Sequence, residues 1–287
     1  MNEVLDVLKI KGLKIRARIV VNELLAGIHR SRRFGFSPDF AEYRPYTPGE
    51  DIRFVDWKAY GRTGKLYIRK LYEETSMKST ILLDTSASMG YGNPSKLEYA
   101  RTLAAALSYL LYLQRDAVGI ITFDERVRDV LPPSRGRRGL YSIFETLERA
   151  RPHGRTETAV PLLGAINLLK RGMVVLISDL EADVDGMMKV MGGLRRRGFD
   201  AMVFHVLSTQ ERDIPSGGSF LFYDMETGES VPFNAYTSAQ EYRSVFREWI
   251  NGLRREFLRR GVDYYTVFTD TPFVEVLRPL KAMRGGP

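Results

Sequence analysis

The chain has 287 residues, 44% of them hydrophobic and 27% charged, enough for one large α/β domain or two modest ones with a sizeable buried core. It contains no cysteine, which excludes disulfides, thiolate metal sites and cysteine nucleophiles, and its three histidines (His29, His153, His205) lack the spacing of a zinc site. The net charge is +8, but residues 1–78 hold 16 basic against 10 acidic residues, so the excess is local, and runs such as Arg195-Arg196-Arg197 read as solvated helix faces rather than a nucleic-acid stripe.

In chain order, residues 3–29 read as a helix carrying Leu5, Leu8, Leu13, Ile19, Leu24 and Leu25. Its most apolar part is cut by Arg16, Arg18 and Glu23, and no uninterrupted run approaches the roughly 18 apolar residues of a membrane span. With no signal-peptide pattern either, the expected location is cytoplasmic. Residues 31–40 (SRRFGFSPDF) form a connector. Residues 41–78 are rich in aromatics and turns: Pro48-Gly49 breaks the chain, Arg62-Thr63-Gly64-Lys65 resembles a hairpin tip, and Leu66-Tyr67-Ile68 reads as a strand. The dense set Glu42, Arg44, Asp51, Arg53, Asp56, Trp57 and Arg62 reads as local salt bridges around a buried Trp57, with a partner surface as the alternative. Residues 1–78 are therefore taken as a helix with a β-rich elaboration, and residues 79–287 as the main domain.

From Ser79 onward, apolar runs at 80–83, 118–123, 173–177, 201–206 and 264–268 alternate with helical patterns at 96–114, 139–149, 159–171, 184–197 and 239–260. Runs as apolar as MVVLI and GIITF suit a sheet covered on both faces, and strands separated by helices imply parallel crossovers. The expected fold is a doubly wound α/β sandwich with a mostly parallel sheet. A polar, glycine-containing insertion at 209–236 is expected to form a hairpin.

The stretch ILLDTSASMG (81–90) ends an apolar strand at Asp84 and adds Ser86 and Ser88 before the next helix. A second apolar strand ends at Asp179, and Gly154-Arg155-Thr156-Glu157-Thr158 contributes hydroxyls ahead of another helix. Ligands of open α/β sheets collect at the carboxyl ends of strands near the switch in strand order. Two carboxylates and several hydroxyls, without nitrogen or sulfur, suit a hard divalent cation that keeps part of its water shell.

This pattern resembles the metal-ion-dependent adhesion site of von Willebrand factor A domains. The resemblance implies Ser86, Ser88 and Thr156 as hydroxyl ligands of Mg2+, with Mn2+ as a substitute, and Asp84 and Asp179 as mostly water-mediated carboxylates. The whole chain also resembles a narrower bacterial and archaeal family, the domain of unknown function number 58. The stretches that carry this are HRSRRFG, FAEYRPYTPGEDIRFVDWKAYGRTGKLYIRKLYEET, LLDTSASM, VVLISDLEAD and the tail YYTVFTDTPFVEVL. Members are often encoded beside MoxR-type AAA+ ATPases, which implies such an ATPase as partner. The expected function is non-catalytic: metal-dependent docking of a partner that donates an Asp or Glu. A phosphohydrolase is the first alternative, but its usual second acid two residues after Asp84 is replaced by Ser86. A basic nucleic-acid binder is the second. No G-x-S-x-G elbow, P-loop or serine–histidine–acid set is present.

Overall fold

A computed structural model describes residues 3–8, 11–31, 43–69, 77–154, 159–167, 169, 171–181, 183–214, 217–223 and 228–282. The connector at 31–40 lies almost wholly outside these residues. Contacts divide the chain into two compact units, Met1–Ala26 together with Met77–Pro287, and Gly27–Ser76. The N-terminal helical region up to Ala26 thus belongs to the same unit as the sheet, where the sequence had grouped it with the elaboration.

That region is two helices, α1 (Glu3–Leu8) and α2 (Leu13–Ser31), rather than one. Gly12 separates them with φ of 90°, a backbone setting that L side chains resist, and its carbonyl accepts from the amides of Ile15 and Arg16 to start α2. Val4, Val7, Leu13, Ala17, Val20 and Val21 are buried.

The smaller unit pairs β1 (Tyr43–Pro45) antiparallel with β2 (Tyr67–Arg69). Between them lies α3 (Trp57–Thr63), whose start is capped by the Asp56 carboxylate accepting from the amides of Lys58 and Ala59. Gly64 closes the helix in the left-handed region. Residues 62–63, read from sequence as part of a hairpin tip, are the last turn of this helix. Trp57 is not buried either: it is 60% exposed and packs edge-on against the exposed Tyr60. A strong cap and a glycine stop outweigh the turn-like composition, and an Arg53–Asp51 salt bridge lies on the surface.

The larger unit is built on β3 (Lys78–Asp84), α4 (Lys96–Leu113), β4 (Ala117–Phe123), β5 (Val127–Ser134), α5 (Gly136–Arg149), α6 (Ala159–Asn167), β6 (Met173–Ser178), α7 (Val184–Arg196), β7 (Asp200–Leu207), α8 (Thr209–Arg212), β8 (Ser219–Tyr223), β9 (Ser230–Asn234), α9 (Ala235–Arg259), β10 (Asp263–Phe268) and α10 (Phe273–Ala282). Its six-stranded sheet runs β10-β7-β6-β3-β4-β5. All pairings are parallel except β4 with β5. The chain starts at β3, passes to β4 and β5 on one side, then crosses back to β6, β7 and β10 on the other. The switch in strand order therefore falls between β3 and β6. The expected insertion is the β8–β9 hairpin; the edge strand β5 and the last helix α10 had no clear sequence pattern.

The core explains the apolar strands. Leu82 packs with Leu162, Met187, Met191, Leu253 and Phe257 from α6, α7 and α9. Its neighbours Ile81 and Leu83, equally buried, point to the opposite face because strand side chains alternate. Leu103, Ala104 and Leu107 of α4 are buried as well, and α2 reaches α5 and α4 through Leu13 N–H to Glu148 and Arg16 to Glu98. Among the described residues no helix is long and apolar enough to cross a membrane.

Gly119 is the tightest joint between the parallel sheet and its antiparallel edge. The β4–β5 register shifts beside it, and a Cβ there would lie 2.5 Å from Leu131 O and 2.6 Å from Pro133 N. Both obstacles are backbone and cannot rotate away. Gly119→Ala should therefore destabilise the protein by about 1–3 kcal/mol or more, the range for overpacking, seen as a lower denaturant midpoint. An unchanged midpoint would show that β5 yields freely.

Candidate functional site

Asp84 ends β3 and Asp179 follows β6, so both sit at the carboxyl edge beside the switch point. Both are completely buried. Asp84 is held from two sides: Oδ1 accepts from Ser86 N–H at 2.9 Å and Oδ2 from Ser178 Oγ at 2.6 Å. Ser86 and Ser88, also buried, stand Oγ to Oγ at 3.0 Å. Four of the five site residues read from sequence thus converge on one spot. The fifth, Thr156, lies outside the described residues. Its loop starts at the site, because the Gly154 carbonyl accepts from Ala87 N–H at 3.0 Å and His153 N–H donates to the Thr85 carbonyl at 2.9 Å.

Leu180 reinforces the placement of Asp179. It adopts φ of 54°, the left-handed region that costs a non-glycine residue roughly 1–2 kcal/mol. Its side chain is fully buried and its N–H donates to Ser178 Oγ at 3.0 Å, so packing and a hydrogen bond hold the turn that aims Asp179 back over the sheet.

Sequence reading missed the cation already present. Lys96, in the first turn of α4, is fully buried. Its Nζ lies 2.8 Å from Asp179 Oδ2, 2.5 Å from Glu181 Oε1 and 2.8 Å from Glu211 Oε1. In S-K-L-E-Y a helix-start lysine looks like a solvent charge, and only tertiary packing reveals otherwise. Burial disfavours its ammonium, but the carboxylates of Asp179, Glu181 and Glu211 outweigh that and hold it above the ordinary lysine range. Burial, and then the Asp179 carboxylate, push Glu181 up to about 8. Burial, followed by the charge of Asp179, pushes Asp84 up to about 7. One buried ammonium thus serves three carboxylates, with Asp84 close enough to Asp179 to feel its charge.

His205 in β7 supports the same carbonyl corner. It is fully buried, with Nε2 2.7 Å from the Asp179 carbonyl oxygen and Nδ1 hydrogen-bonded to the Tyr264 hydroxyl. Burial holds its imidazole down to about 4. Asp124, at the end of β4, is a third buried acid on this edge, paired with Arg128 at 2.5 Å. His153, by contrast, is 70% exposed, as expected of a loop histidine.

The donor set fits a hard cation. Asp179 Oδ2 lies 2.8 Å from the buried Lys96 ammonium and meets no other donor among the described residues, which leaves a carboxylate oxygen with lone-pair capacity for a further ligand. Two hydroxyls and a second carboxylate lie beside it. Among the described residues no three acids or imidazoles gather into a metal cage. Whatever ion Asp84, Ser86, Ser88 and Asp179 take would depend on hydroxyls, water and outside ligands to complete its shell.

The model of the family described as "Protein of unknown function DUF58" matches residues 42–255. The chain belongs to the DUF58 family. It is 24% identical over 226 residues to an uncharacterized protein of Mycobacterium tuberculosis, covering 76% of this chain and 70% of the relative. In structure it is similar to the conserved hypothetical protein BatB from Bacteroides thetaiotaomicron, with a TM-score of 0.52 at 19% identity, covering 74% of this chain and all of that one. A von Willebrand factor type A protein from Catenulispora acidiphila aligns at 13% identity over 72% of this chain and 42% of that one, with a TM-score of 0.43. At 19% identity the likeness to BatB concerns the fold alone.

His205 gives the DUF58 site a pH signature. Neutral in the fold down to about 4 but ordinarily protonated below 6.5, it contributes stability that is lost as pH falls through that window, because only the unfolded chain takes up the proton. His205→Gln should flatten this part of the stability profile relative to wild type, measured by denaturant midpoints between pH 4 and 7. Parallel profiles would mean that His205 titrates alike in both states.

Proposed function

We propose that this DUF58 protein is a divalent-cation-dependent docking module, not an enzyme. The observation that carries the reading is the buried oxygen cluster of Asp84, Ser86, Ser88 and Asp179, in which the Lys96 ammonium is the one donor that Asp179 Oδ2 meets among the described residues. Ser86, Ser88 and, from the adjoining loop, Thr156 would hold Mg2+ or Mn2+ through hydroxyls, with Asp84 and Asp179 binding through water. When bound, the ion supplies a Lewis-acid centre that mostly neutral ligands leave under-neutralised, open to a carboxylate from a partner.

The chain's own residues do the rest. Ser178 and the Ser86 amide keep both Asp84 oxygens occupied, which fixes the carboxylate. Lys96 offsets part of the charge of Asp179, so the cluster stays a weak, exchangeable site rather than a permanent one. Among the described residues, His205 is tied at both nitrogens and His153 is turned to Arg128, so neither stands ready as a base. That supports docking over hydrolysis. Because members of the family are often encoded beside MoxR-type AAA+ ATPases, such an ATPase is the proposed partner, with the pair assisting assembly or maturation of other proteins.

Ser86→Ala and Asp84→Ala should abolish magnesium-dependent capture of the ATPase while leaving the circular-dichroism spectrum unchanged. Calorimetric titration should also show the partner tightening magnesium by the same factor that magnesium tightens the partner, typically about 5–150-fold for linked sites. Equal magnesium affinity with and without partner would refute the shared carboxylate. Phosphate-ester turnover that disappears in Asp84→Asn would refute the non-catalytic reading.

A further inference from the structure

We infer that the cavity between α8 and α9 is a second contact for the same partner, a pocket for the carboxylates of an acidic, aromatic-containing segment. The cavity measures about 270 Å³ and is lined by Arg212, Asp213, Ile214, Arg243, Phe246 and Arg247. Three guanidinium groups against one carboxylate is an unbalanced wall. Arg212 is already committed to Asp213 at 2.7 Å and Asp270 at 3.0 Å. Arg243 and Arg247 form no close ion pair among the described residues, although Arg243 lies near enough to Asp213 to help Arg212 hold its carboxyl down. Their hydrogen bonds go to backbone carbonyls, Arg243 to Ile214 at 3.1 Å and Arg247 to Arg243 at 3.0 Å. Each of these bonds uses one of five N–H donors, so each arginine is oriented while most of its donors stay available.

The apolar side of the pocket is equally well placed. Ile214 is buried, and the Phe246 ring is stacked on Tyr242 and packed against Trp249. The aromatic row continues from Tyr242 to Phe233 and Phe222 in the hairpin, where Leu221, Tyr223 and Val231 are exposed. Acid beside aromatic is the chemistry this surface matches. A nucleic acid would call for a longer basic stripe without Asp213 on its rim.

A chain of contacts links the pocket to the candidate metal site. Arg212 follows Glu211, which accepts from Lys96, which in turn contacts Asp179. Strands β3, β6 and β7 are consecutive in the sheet, so the edge from Asp84 to α8 spans roughly 10 Å, the reach of three or four extended residues. A segment crossing this edge would lead from the metal site to α8, and from there toward Arg243, which bonds the Ile214 carbonyl just past that helix.

That single-segment geometry rests on the docking function proposed above, but the pocket can be tested without metal. The probe is a fluorescein-labelled octapeptide of alternating Glu and Phe, read by anisotropy in EDTA. Binding should weaken about tenfold or more in Arg243→Gln/Arg247→Gln, as expected for loss of charge-assisted bonds. It should weaken comparably for wild type with the Gln–Phe peptide, fall with added salt, and persist in Asp84→Ala. An unchanged melting temperature confirms that the double variant is folded. Equal binding by the double variant would overturn the pocket. So would tighter arginine-dependent binding of a single-stranded oligonucleotide or anionic vesicles, which would assign the surface to another class of partner.

Discussion

The ammonium of Lys96, sealed from solvent among Asp179, Glu181 and Glu211, ties together the parts of the fold that make the site. It joins the start of α4, the turn after β6 and the short helix α8, three elements far apart in sequence. Of the four groups, Lys96 and Asp179 are sealed from water, so removing either would leave the other charged and dry, a loss that typically costs about 3–5 kcal/mol. Asp84 stands close to Asp179, and its carboxyl is pushed upward by burial and by that neighbour. The fold thus tolerates crowded, buried acids at its switch point.

That tolerance follows from the topology. The central strands are apolar on both faces and packed under helices, so their ends are the first places where polar groups can gather. Asp84 and Asp179 come from adjacent strands of opposite wind, and the backbone does little more than deliver them. Local devices finish the placement: Ser178 bonded to Asp84, and Leu180 held in the left-handed region by burial and by the Ser178 hydroxyl. Glu211 adds a capping box to α8, so the same carboxylate serves the helix start and the buried lysine.

Much of this was legible in the sequence, for identifiable reasons. Unbroken apolar runs disclosed β3, β4, β6 and β7, and the Asp-x-Ser-x-Ser spacing at 84–88 marked the loop where Asp84, Ser86 and Ser88 gather. What stayed hidden depended on tertiary contacts. Lys96 and His205 look like ordinary charged and polar positions until packing buries them. The strand β5 mixes Arg128, Asp129 and two prolines and has no apolar alternation, because it borders solvent. Trp57 misled in the other direction: a large aromatic amid charges suggests a buried anchor, whereas here it lies open beside Tyr60.

Strand β5 also limits how other molecules can join the sheet. It forms one border, and Pro132 and Pro133 bring no N–H groups to it, while Arg128 and Asp129 add charges bonded to Asp124 and Thr122. A bare strand edge invites a foreign strand to add on, leading to aggregation or to binding by main-chain pairing. Prolines and charges on this border blunt that invitation. Recognition is thereby steered away from the generic chemistry of the peptide backbone and toward side chains, where the identity of the visitor can be read.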